Sequence, residues 1–377
     1  AIATILSGEH RGYLLHGITG SGKTEIYIRI ITENLRRGKS AILLVPEISL
    51  TPQMIERLNL HFPEQLLVNH SKLTPARRKQ VWLQAAQSER PIVVIGPRSS
   101  LFLPLHSIGV IIVDEEHEQS YKQENTPCYN TSQVVAKICE LTKSHYVLGS
   151  ATPSINTYLM AKENNIGYIQ LTERAGEGKL PKVTILDKRD RHELLLPELT
   201  QAMRRTLQRG DQVLLFINRR GSAGAMMCGH CGETIRCPNC DMSLTFHGDI
   251  ARLVCHYCGF KRLPPHACPS CNEVQLSFVG SGTKGVEVEI EKAFSRYRIA
   301  RLDSDNGDIE TIQTTYKQLQ DRQIDIIVGT QMIARGLDLA GIGLVGVIAT
   351  DSMLAIPDYS SSERTFQLLT QVAGRAG

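Results

Sequence analysis

Short apolar runs alternate with stretches of helical spacing along most of the chain. The runs "AILLVP", "PIVVIG", "VIIVDE" and "HYVLGS" are rich in β-branched residues, and segments such as "TEIYIRIITENLRRG" separate them. Runs of this kind are typical of strands buried on both faces, and their alternation with helices favours a parallel α/β sheet. The pattern pauses at "AGEGKLP", which reads as a linker, and resumes with "KVTILD", "QVLLFI", "RIARLD", "IDIIVGT" and "VGVIATD".

The resumed pattern predicts two α/β lobes in series, over residues 1–175 and 176–377. A length of 377 residues suits two domains, each with its own core. A cysteine-rich segment, assigned here to residues 226–275, interrupts the second lobe just after one of its strands.

Composition narrows the class of protein. Hydrophobic residues make up 42% of the chain and charged residues 21%, as in a globular protein. The net charge of +4 permits an anionic partner without demanding one. The sequence contains neither a membrane-length apolar run nor a charged and apolar leader, so a cytoplasmic location is expected. Cysteines stay reduced there, which makes metal ligands a better reading of the ten cysteines than disulfides.

The stretch "GITGSGKT" lies directly after the strand-like run "YLLH" and before a helical pattern. Glycines at this spacing let backbone N–H groups curl around phosphates, and the start of the helix faces the same negative charge. We expect Lys23 to reach the β and γ phosphates of ATP and the Thr24 hydroxyl to ligate Mg²⁺. The residues expected to hold the nucleotide in this loop are Gly17, Gly20, Ser21, Gly22, Lys23 and Thr24.

A second strand-like run, "VIIVDEEH", ends in Asp114 and Glu115. The carboxyl end of a strand lies on the ligand-binding edge of an open α/β sheet. We therefore expect Asp114 to hold Mg²⁺ and Glu115 to orient and deprotonate the attacking water.

Four CxxC pairs occur between residues 228 and 271. Each pair offers two thiolates on one tight turn, and two such turns complete a tetrahedral zinc site. Of three possible pairings we favour a nested one, because only five residues separate Cys231 from Cys237. The inner pairs Cys237, Cys240, Cys255 and Cys258 would hold one zinc, and the outer pairs Cys228, Cys231, Cys268 and Cys271 the other. Sites with four cysteine ligands have no open position, so both zinc ions are expected to be structural. Gly232 and Gly259 each follow the second cysteine of a pair, where a positive φ is expected.

The motifs "GSGKTE", "VDEEH", "GSATP", "GTQMIARG" and "QVAGRAG" occur in the order of the superfamily 2 helicase motifs. Together with "VPEISLTPQ", "GPRSSLFLPL", "INRRGSA", "ERTFQLLTQVAGRAG" and the four CxxC pairs, they resemble the PriA family of bacterial primosomal, or replication-restart, helicases. The resemblance covers nearly all of the chain. It implies two RecA-like P-loop lobes and an ATP-dependent DNA helicase that moves 3′ to 5′, recognises stalled forks and helps to reload the replicative helicase. It also supports the nested zinc pairing.

Further site residues follow from the resemblance. Ser150 and Thr152 of "GSATP" would link the nucleotide to the DNA, since hydroxyls can switch hydrogen-bond partners. Arg375, assisted by Gln371, would stabilise charge on the transferred phosphate in a cleft between the lobes. Gly336 and Asp338 would frame the same cleft.

The resemblance also suggests where DNA binds. Contacts to the DNA backbone would give affinity without sequence preference. Tyrosines flank a loop that in this family couples DNA binding to ATP turnover, although buried core tyrosines are an equally good reading. The residues assigned to DNA binding or coupling are Gln53, Arg98, Ser99, Tyr121, Tyr129, Arg219 and Arg220, in addition to Ser150 and Thr152.

The implied partners are single-stranded and forked DNA, primosome proteins and single-stranded DNA-binding protein. The expectation is a nucleoid-associated monomer that contacts no membrane. Two alternatives stay open: a translocase on duplex DNA or an RNA helicase, and a non-catalytic, nucleotide-switched scaffold for primosome assembly.

The chain departs from the family pattern in several places. The last motif stops before a usual arginine, and the N- and C-terminal regions of the family are absent, so a helicase-core fragment is expected. "PCYNTSQ" and "RGLDL" also lack usual family residues, and the property that we expect these departures to weaken most is the coupling of hydrolysis to DNA.

Overall fold

The chain divides into two units, Ala1–Lys179 and Leu180–Gly377. The computed structural model describes residues 1–46, 50, 52–174, 181–191, 193, 195–217, 224–248, 250–278, 283–302, 309–329, 341–348 and 350–374. Within these ranges no helix has both the length and the apolar character needed to cross a membrane.

The first unit is built from strands and helices that follow one another along the chain. Its strands are β1 (Gly12–Gly17), β2 (Ser40–Leu44), β3 (Leu66–Val68), β4 (Val93–Gly96), β5 (Ile108–Asp114), β6 (Lys122–Gln123), β7 (Tyr129–Asn130), β8 (His145–Ser150) and β9 (Gly167–Leu171). Its helices are α1 (Ile2–Ser7), α2 (Lys23–Arg36), α3 (Pro52–His61), α4 (Pro75–Gln87), α5 (Thr131–Thr142) and α6 (Ile155–Lys162). Short 3₁₀ helices cover Arg98–Phe102 and Gln119–Tyr121.

Seven of these strands form one parallel sheet in the order β3-β4-β2-β5-β8-β1-β9. Successive side chains of a strand point to opposite faces, and the core follows that rule. Leu15, with α2 and α3, packs in a buried cluster on one face, whereas Leu14, with α5 and α6, packs in a cluster on the other. The sheet is therefore covered on both faces, as the apolar runs predict.

Three helices of this unit begin at a capping side chain. Thr74, Asn130 and Ser154 accept backbone N–H groups at the starts of α4, α5 and α6. Helix α2 differs, because Gly22 precedes it and offers no side-chain cap. Its first N–H groups are therefore left for another acceptor.

The described part of the second unit contains a four-stranded parallel sheet and an antiparallel insertion. The sheet strands are β10 (Gln212–Ile217), β16 (Ile299–Leu302), β17 (Ile326–Gly329) and β18 (Ile342–Ile348). They lie in the order β16-β17-β10-β18. The helices among the described residues of this unit are α7 (Pro197–Gln208), α8 (Thr283–Ala293), α9 (Ile309–Gln320), α10 (Asp351–Leu354) and α11 (Ser361–Ala373).

The insertion follows β10 and carries the eight paired cysteines. Its strands are β11 (Met226–Cys228), β12 (Thr245–His247), β13 (Arg252–Val254), β14 (Lys261–Arg262) and β15 (Leu276–Phe278). β11 and β15 pair at its two chain ends, and β12, β13 and β14 form a separate small antiparallel sheet. Its core is small and includes the zinc-site residues Cys237 and Cys255.

One expected strand is wrong. The apolar alternation of "KVTILD" suggests a strand, but residues 182–187 form neither helix nor strand. Val183 and Ile185 are 69% and 93% exposed, so the alternation has no apolar surface to pack against. The segment is instead tied down further along, where the backbone N–H of Asp190 donates to the carbonyl of Gly229 at 3.0 Å.

Candidate nucleotide site and zinc centres

Three sequence motifs meet at the carboxyl edge of the seven-stranded sheet. The phosphate loop follows β1, "GSATP" begins within β8, and the acidic pair ends β5, and these three strands are neighbours. The register aligns Asp114 with Gly149 and His16 with Ser150. Because ligands bind at this edge of open α/β sheets, the three motifs form one candidate site.

The phosphate loop is open and curled. Gly20 and Gly22 have φ values of 78° and 83°, which side chains rarely tolerate. A Cβ on Gly17 would lie 2.5 Å from the Ser21 hydroxyl, so the turn has no room for one. The Lys23 ammonium donates to the Gly17 carbonyl at 2.8 Å and thus folds back over the loop. Thr24 lies in the first turn of α2.

The acidic pair sits in a buried setting. Burial first, and then the charge of Glu115, raises the pKa of Asp114 to about 6, while Lys23 opposes the rise. The Tyr27 hydroxyl donates to Asp114 Oδ1 at 2.9 Å. Glu115 has a φ of 48°, a conformation that is uncommon outside glycine and often found at functional sites.

Three buried oxygens at this edge accept or donate no hydrogen bond within the described part of the chain. They are Ser21 Oγ, Glu115 Oε2 and Thr152 Oγ1, one from each motif, although Glu115 Oε2 lies 3.7 Å from His117 Nδ1. Buried polar atoms are normally satisfied, so oxygens left over at one edge point to a polar ligand. The hydrogen-bond donors of the phosphate loop and the carboxylates of the acidic pair fit a nucleoside triphosphate with Mg²⁺.

The motif "GSATP" is joined to the acidic pair by hydrogen bonds. His117 Nδ1 lies 2.8 Å from Ser150 Oγ, and that hydroxyl also accepts the backbone N–H of Thr152 at 2.9 Å. Glu116 accepts the backbone N–H of Ser154 at 2.7 Å and the hydroxyl of Thr157 at 2.9 Å. Hydrogen bonds thus join the two residues that follow the acidic pair to the "GSATP" loop and the start of α6.

Tyr27, Glu116 and His117 were not predicted as site residues. The only sequence feature that could have indicated them is their position next to a motif. Tyr27 is four residues after Lys23 and so one helical turn further along, and the other two directly follow the acidic pair.

Some candidate DNA-binding residues of the first unit are exposed, and Arg98 is instead hydrogen-bonded within the protein. Gln53 and Ser99 are exposed. Arg98 donates through Nη1 to the carbonyls of Ser120 and Lys122, the second at 2.7 Å, and so anchors the segment that contains Tyr121.

The two tyrosines differ in their surroundings. Tyr121 is 3% exposed and its hydroxyl donates to the Asp114 carbonyl at 2.8 Å, so its ring lies in the core and offers no surface to a base. Tyr129 is half-buried and meets Phe102 edge to face with ring centroids 5.5 Å apart. Phe102, the last residue of the 3₁₀ helix, is exposed, and it was missed because a single aromatic residue carries no distinctive sequence signal.

In the second unit, Gln371 is buried on α11. The other residues assigned to this lobe lie outside the described residues: Arg219, Arg220, Gly336, Asp338 and Arg375.

The eight paired cysteines gather into two groups of four in the nested arrangement. Cys237, Cys240, Cys255 and Cys258 form the inner group, and Cys228, Cys231, Cys268 and Cys271 the outer, with all sulfur atoms of a group within 4.8 Å of one another. Sulfur separations of 3.7, 3.6 and 3.6 Å join Cys228 to Cys271, Cys231 to Cys268 and Cys237 to Cys258. Zn–S bonds of about 2.3 Å set tetrahedral sulfur atoms about 3.8 Å apart, so both groups fit a structural zinc ion.

All four cysteine turns share one backbone design. In each, the residue after the second cysteine donates its N–H to the carbonyl of the first, at 2.9–3.0 Å. That residue has a positive φ in every case: Gly232 (78°), Asp241 (55°), Gly259 (76°) and Asn272 (63°). The positive φ predicted for the two glycines is confirmed, and the structure extends it to an Asp and an Asn, which tolerate the left-handed conformation better than most other residues.

A P-loop lobe followed by a second parallel-sheet lobe, with the helicase motifs in this order along the chain, defines the core of a superfamily 2 helicase. The fold agrees with that of solved helicases. The chain aligns over its whole length with 46% of the DUF1998 helicase MrfA bound to DNA (TM-score 0.56, 13% identity). It also aligns over its whole length with 39% of RecG bound to a three-way DNA junction (TM-score 0.53, 16% identity).

Sequence comparison identifies the family. A family model for DEAD/DEAH box helicases matches residues 1–160, and one for the PriA DNA helicase Cys-rich region (CRR) domain matches residues 237–262. Replication restart protein PriA of Bacillus subtilis (strain 168) is 43% identical over 99% of the chain and 47% of its own length. The Treponema pallidum (strain Nichols) protein of the same name is 40% identical over 97% of the chain and 56% of its length. The chain belongs to the PriA family, and it spans about half the length of the curated relatives it matches.

Proposed function

We propose that the chain is the motor core of a replication restart helicase, which hydrolyses ATP to move 3′ to 5′ on single-stranded DNA and to unwind forks. The observation that carries the proposal is the cluster of three buried oxygens at the phosphate loop, acidic pair and "GSATP" motif, none hydrogen-bonded within the described residues. Membership of the PriA family supports the same conclusion.

The chemistry assigns a role to each residue at this edge. The phosphate-loop residues Gly17, Gly20, Ser21 and Gly22 would hold the phosphates, and Lys23 would leave the Gly17 carbonyl to bind the β and γ phosphates. Mg²⁺, held by Thr24 and Asp114, would supply charge neutralisation on the phosphate oxygens. Glu115 would orient the attacking water and take its proton.

Residues of the second lobe, together with the "GSATP" motif of the first lobe, complete the proposed reaction and its coupling. Arg375 would stabilise charge that develops on the transferred phosphate, with help from Gln371, Gly336 and Asp338. Ser150 and Thr152, tied to the acidic pair through His117, would report the state of the nucleotide.

The proposed DNA contacts are made to the sugar–phosphate backbone, so that affinity is independent of sequence. Gln53, Ser99, Arg219 and Arg220 are the candidates, with Tyr129 beside exposed Phe102. We assign Arg98 and Tyr121 to coupling rather than to direct stacking, because Arg98 holds the backbone around Tyr121 and Tyr121 donates to Asp114.

Further proposals concern the setting of the motor. The two zinc ions are assigned a structural role in the insertion. The proposed partners are single-stranded and forked DNA, other primosome proteins and single-stranded DNA-binding protein, with the monomeric protein acting in the cytoplasm at the nucleoid.

The test is Mg²⁺-dependent ATP hydrolysis with and without single-stranded DNA. We expect DNA to stimulate turnover and Lys23→Ala to lower it by about a hundredfold or more. Lys137→Ala, an exposed lysine of α5 in an ion pair with Glu140, is the matched control and should leave turnover unchanged.

The direction and the track are tested on forks with a single 3′ or 5′ tail, made of DNA or RNA. Unwinding restricted to 3′-tailed DNA supports the proposal. Nucleotide binding without hydrolysis would instead favour the scaffold alternative, and equal unwinding of RNA forks would favour the RNA helicase.

A further inference from the structure

Tyr27 links the phosphate-loop helix to the acidic pair. It lies one turn after Lys23 on α2, and it is completely buried in the core between that helix and the sheet. Its hydroxyl donates to Asp114 Oδ1 at 2.9 Å, across 87 residues of sequence. One helix thus carries both the lysine assigned to phosphate and the hydroxyl that holds the carboxylate assigned to metal.

The hydroxyl occupies a space that the sheet leaves open for it. Gly149 is the register partner of Asp114 on β8, and a Cβ at Gly149 would lie 1.7 Å from the Tyr27 hydroxyl and 2.8 Å from Cζ. A glycine at this strand position is otherwise unfavourable, since it weakens strand packing. Its presence here is explained by the need to admit the hydroxyl.

Asp114 is held at two points by two tyrosines. Tyr27 binds its carboxylate, and Tyr121 donates to its backbone carbonyl at 2.8 Å. The Tyr27 hydroxyl is buried with its ring, and the carboxylate of Asp114 is its hydrogen-bond acceptor. A phenylalanine would fill the same volume without this hydrogen bond.

We propose that Tyr27 is a positioning residue. Its hydrogen bond to Asp114 Oδ1 would hold the carboxylate in the single orientation in which it binds Mg²⁺. This inference rests on the proposed function of Asp114 as a magnesium ligand. It follows from preorganisation: a ligand that is already oriented binds its ion without losing further rotational freedom.

The experiment measures binding of a non-hydrolysable ATP analogue while Mg²⁺ is varied, and again in EDTA. Tyr27→Phe should raise the Mg²⁺ concentration for half-maximal binding by about tenfold, near the lower limit of what a hydrogen bond to a charged group contributes. Binding in EDTA should be unchanged. Tyr13→Phe is the matched control, because Tyr13 is fully buried in the same core cluster and its hydroxyl accepts the His10 N–H instead. It should leave both values unchanged.

Gly149→Ala provides a second, independent variant. Its methyl group should displace the Tyr27 hydroxyl and raise the Mg²⁺ requirement similarly, and combining it with Tyr27→Phe should add little, because both changes break the same bond. Full additivity of the two shifts, or a Tyr27→Phe value within twofold of the parent, would overturn the inference.

The proposed function and the role of Tyr27 can fail separately. If the parent protein shows no Mg²⁺-dependent binding that Lys23→Ala removes, the proposed function fails. If the parent binds as expected and only Tyr27→Phe is silent, the function stands and Tyr27 is merely a core residue.

Discussion

The nucleotide edge and the zinc insertion both carry their chemistry on tight turns, but they are supported in different ways. The nucleotide turns project from a seven-stranded sheet with a large apolar cluster on each face. The insertion has a small cluster in which Cys237 and Cys255 are themselves among the buried residues. At the nucleotide edge, the sheet and its two apolar clusters position the ligand-binding side chains. In the insertion, the zinc-binding cysteines are themselves part of the core. We therefore expect a lost side chain to impair ligand binding in the first region and folding in the second.

The largest effect is expected from loss of the inner zinc. Cys255→Ser removes a buried ligand, and structural zinc binding is worth about 10–16 kcal/mol of folding free energy in small domains. Zinc content should fall from two ions per chain to one, and amides of residues 237–262, which contain the inner cysteines and β12 to β14, should exchange rapidly with solvent. ATP-analogue binding by the first unit should persist.

Cys128→Ser is the control for this prediction, because Cys128 is exposed and lies outside both cysteine groups. It should change neither zinc content nor exchange. An insertion that stays protected without its inner zinc would mean that its apolar core suffices, and the contrast between the two regions would be lost.

A smaller effect is expected from Glu116, a buried side chain within the sheet-supported region. Glu116→Ala leaves the N–H of Ser154 and the hydroxyl of Thr157 without their carboxylate acceptor, which should cost about 2–4 kcal/mol. The chain has a single tryptophan, Trp82 on α4, so urea unfolding followed by tryptophan fluorescence reports the first unit alone.

The matched control is Glu140→Ala, since Glu140 pairs with Lys137 on the surface of the same unit. Exposed ion pairs contribute little, so no measurable change is expected. Equal curves for Glu116→Ala and the parent would show that the acidic loop and α6 are held by the sheet alone, and would make the two regions still more unlike.

The parts of the molecule that could be predicted are those with a local signature. The phosphate loop, the acidic pair and the buried strands each occupy a few consecutive residues, and the nested zinc pairing follows from the short spacer between Cys231 and Cys237. Tyr27 and Glu116 were missed because they act through bonds to residues 87 and about 40 positions away, and their own sequence neighbourhoods are ordinary. The strand expected at "KVTILD" was wrong because alternation records what a segment could bury and not whether a partner is there to cover it.

The smallest effect concerns the cysteine turns. It distinguishes the contribution of the turn conformation from that of the metal. Gly259 has a φ of 76° and open space around its missing Cβ, so Gly259→Ala introduces backbone strain and nothing else. The strain should cost about 1 kcal/mol. Asn272 holds the equivalent position in the outer group with a φ of 63°, and Asn272→Gly should relieve a few tenths of a kcal/mol. Because folding of such a site and metal binding are one event, both changes should appear as shifts in resistance to a zinc chelator.

Chelator competition should release the zinc of the inner group about fivefold more readily in Gly259→Ala and the zinc of the outer group slightly less readily in Asn272→Gly. The opposite signs serve as each other's control, since a general loss of stability would move both variants in one direction. If Gly259→Ala left chelator resistance unchanged, the turn would be able to adopt another conformation around the metal. The insertion would then be organised by its ligands alone, and the four repeated turns would be a result of zinc binding rather than a condition for it.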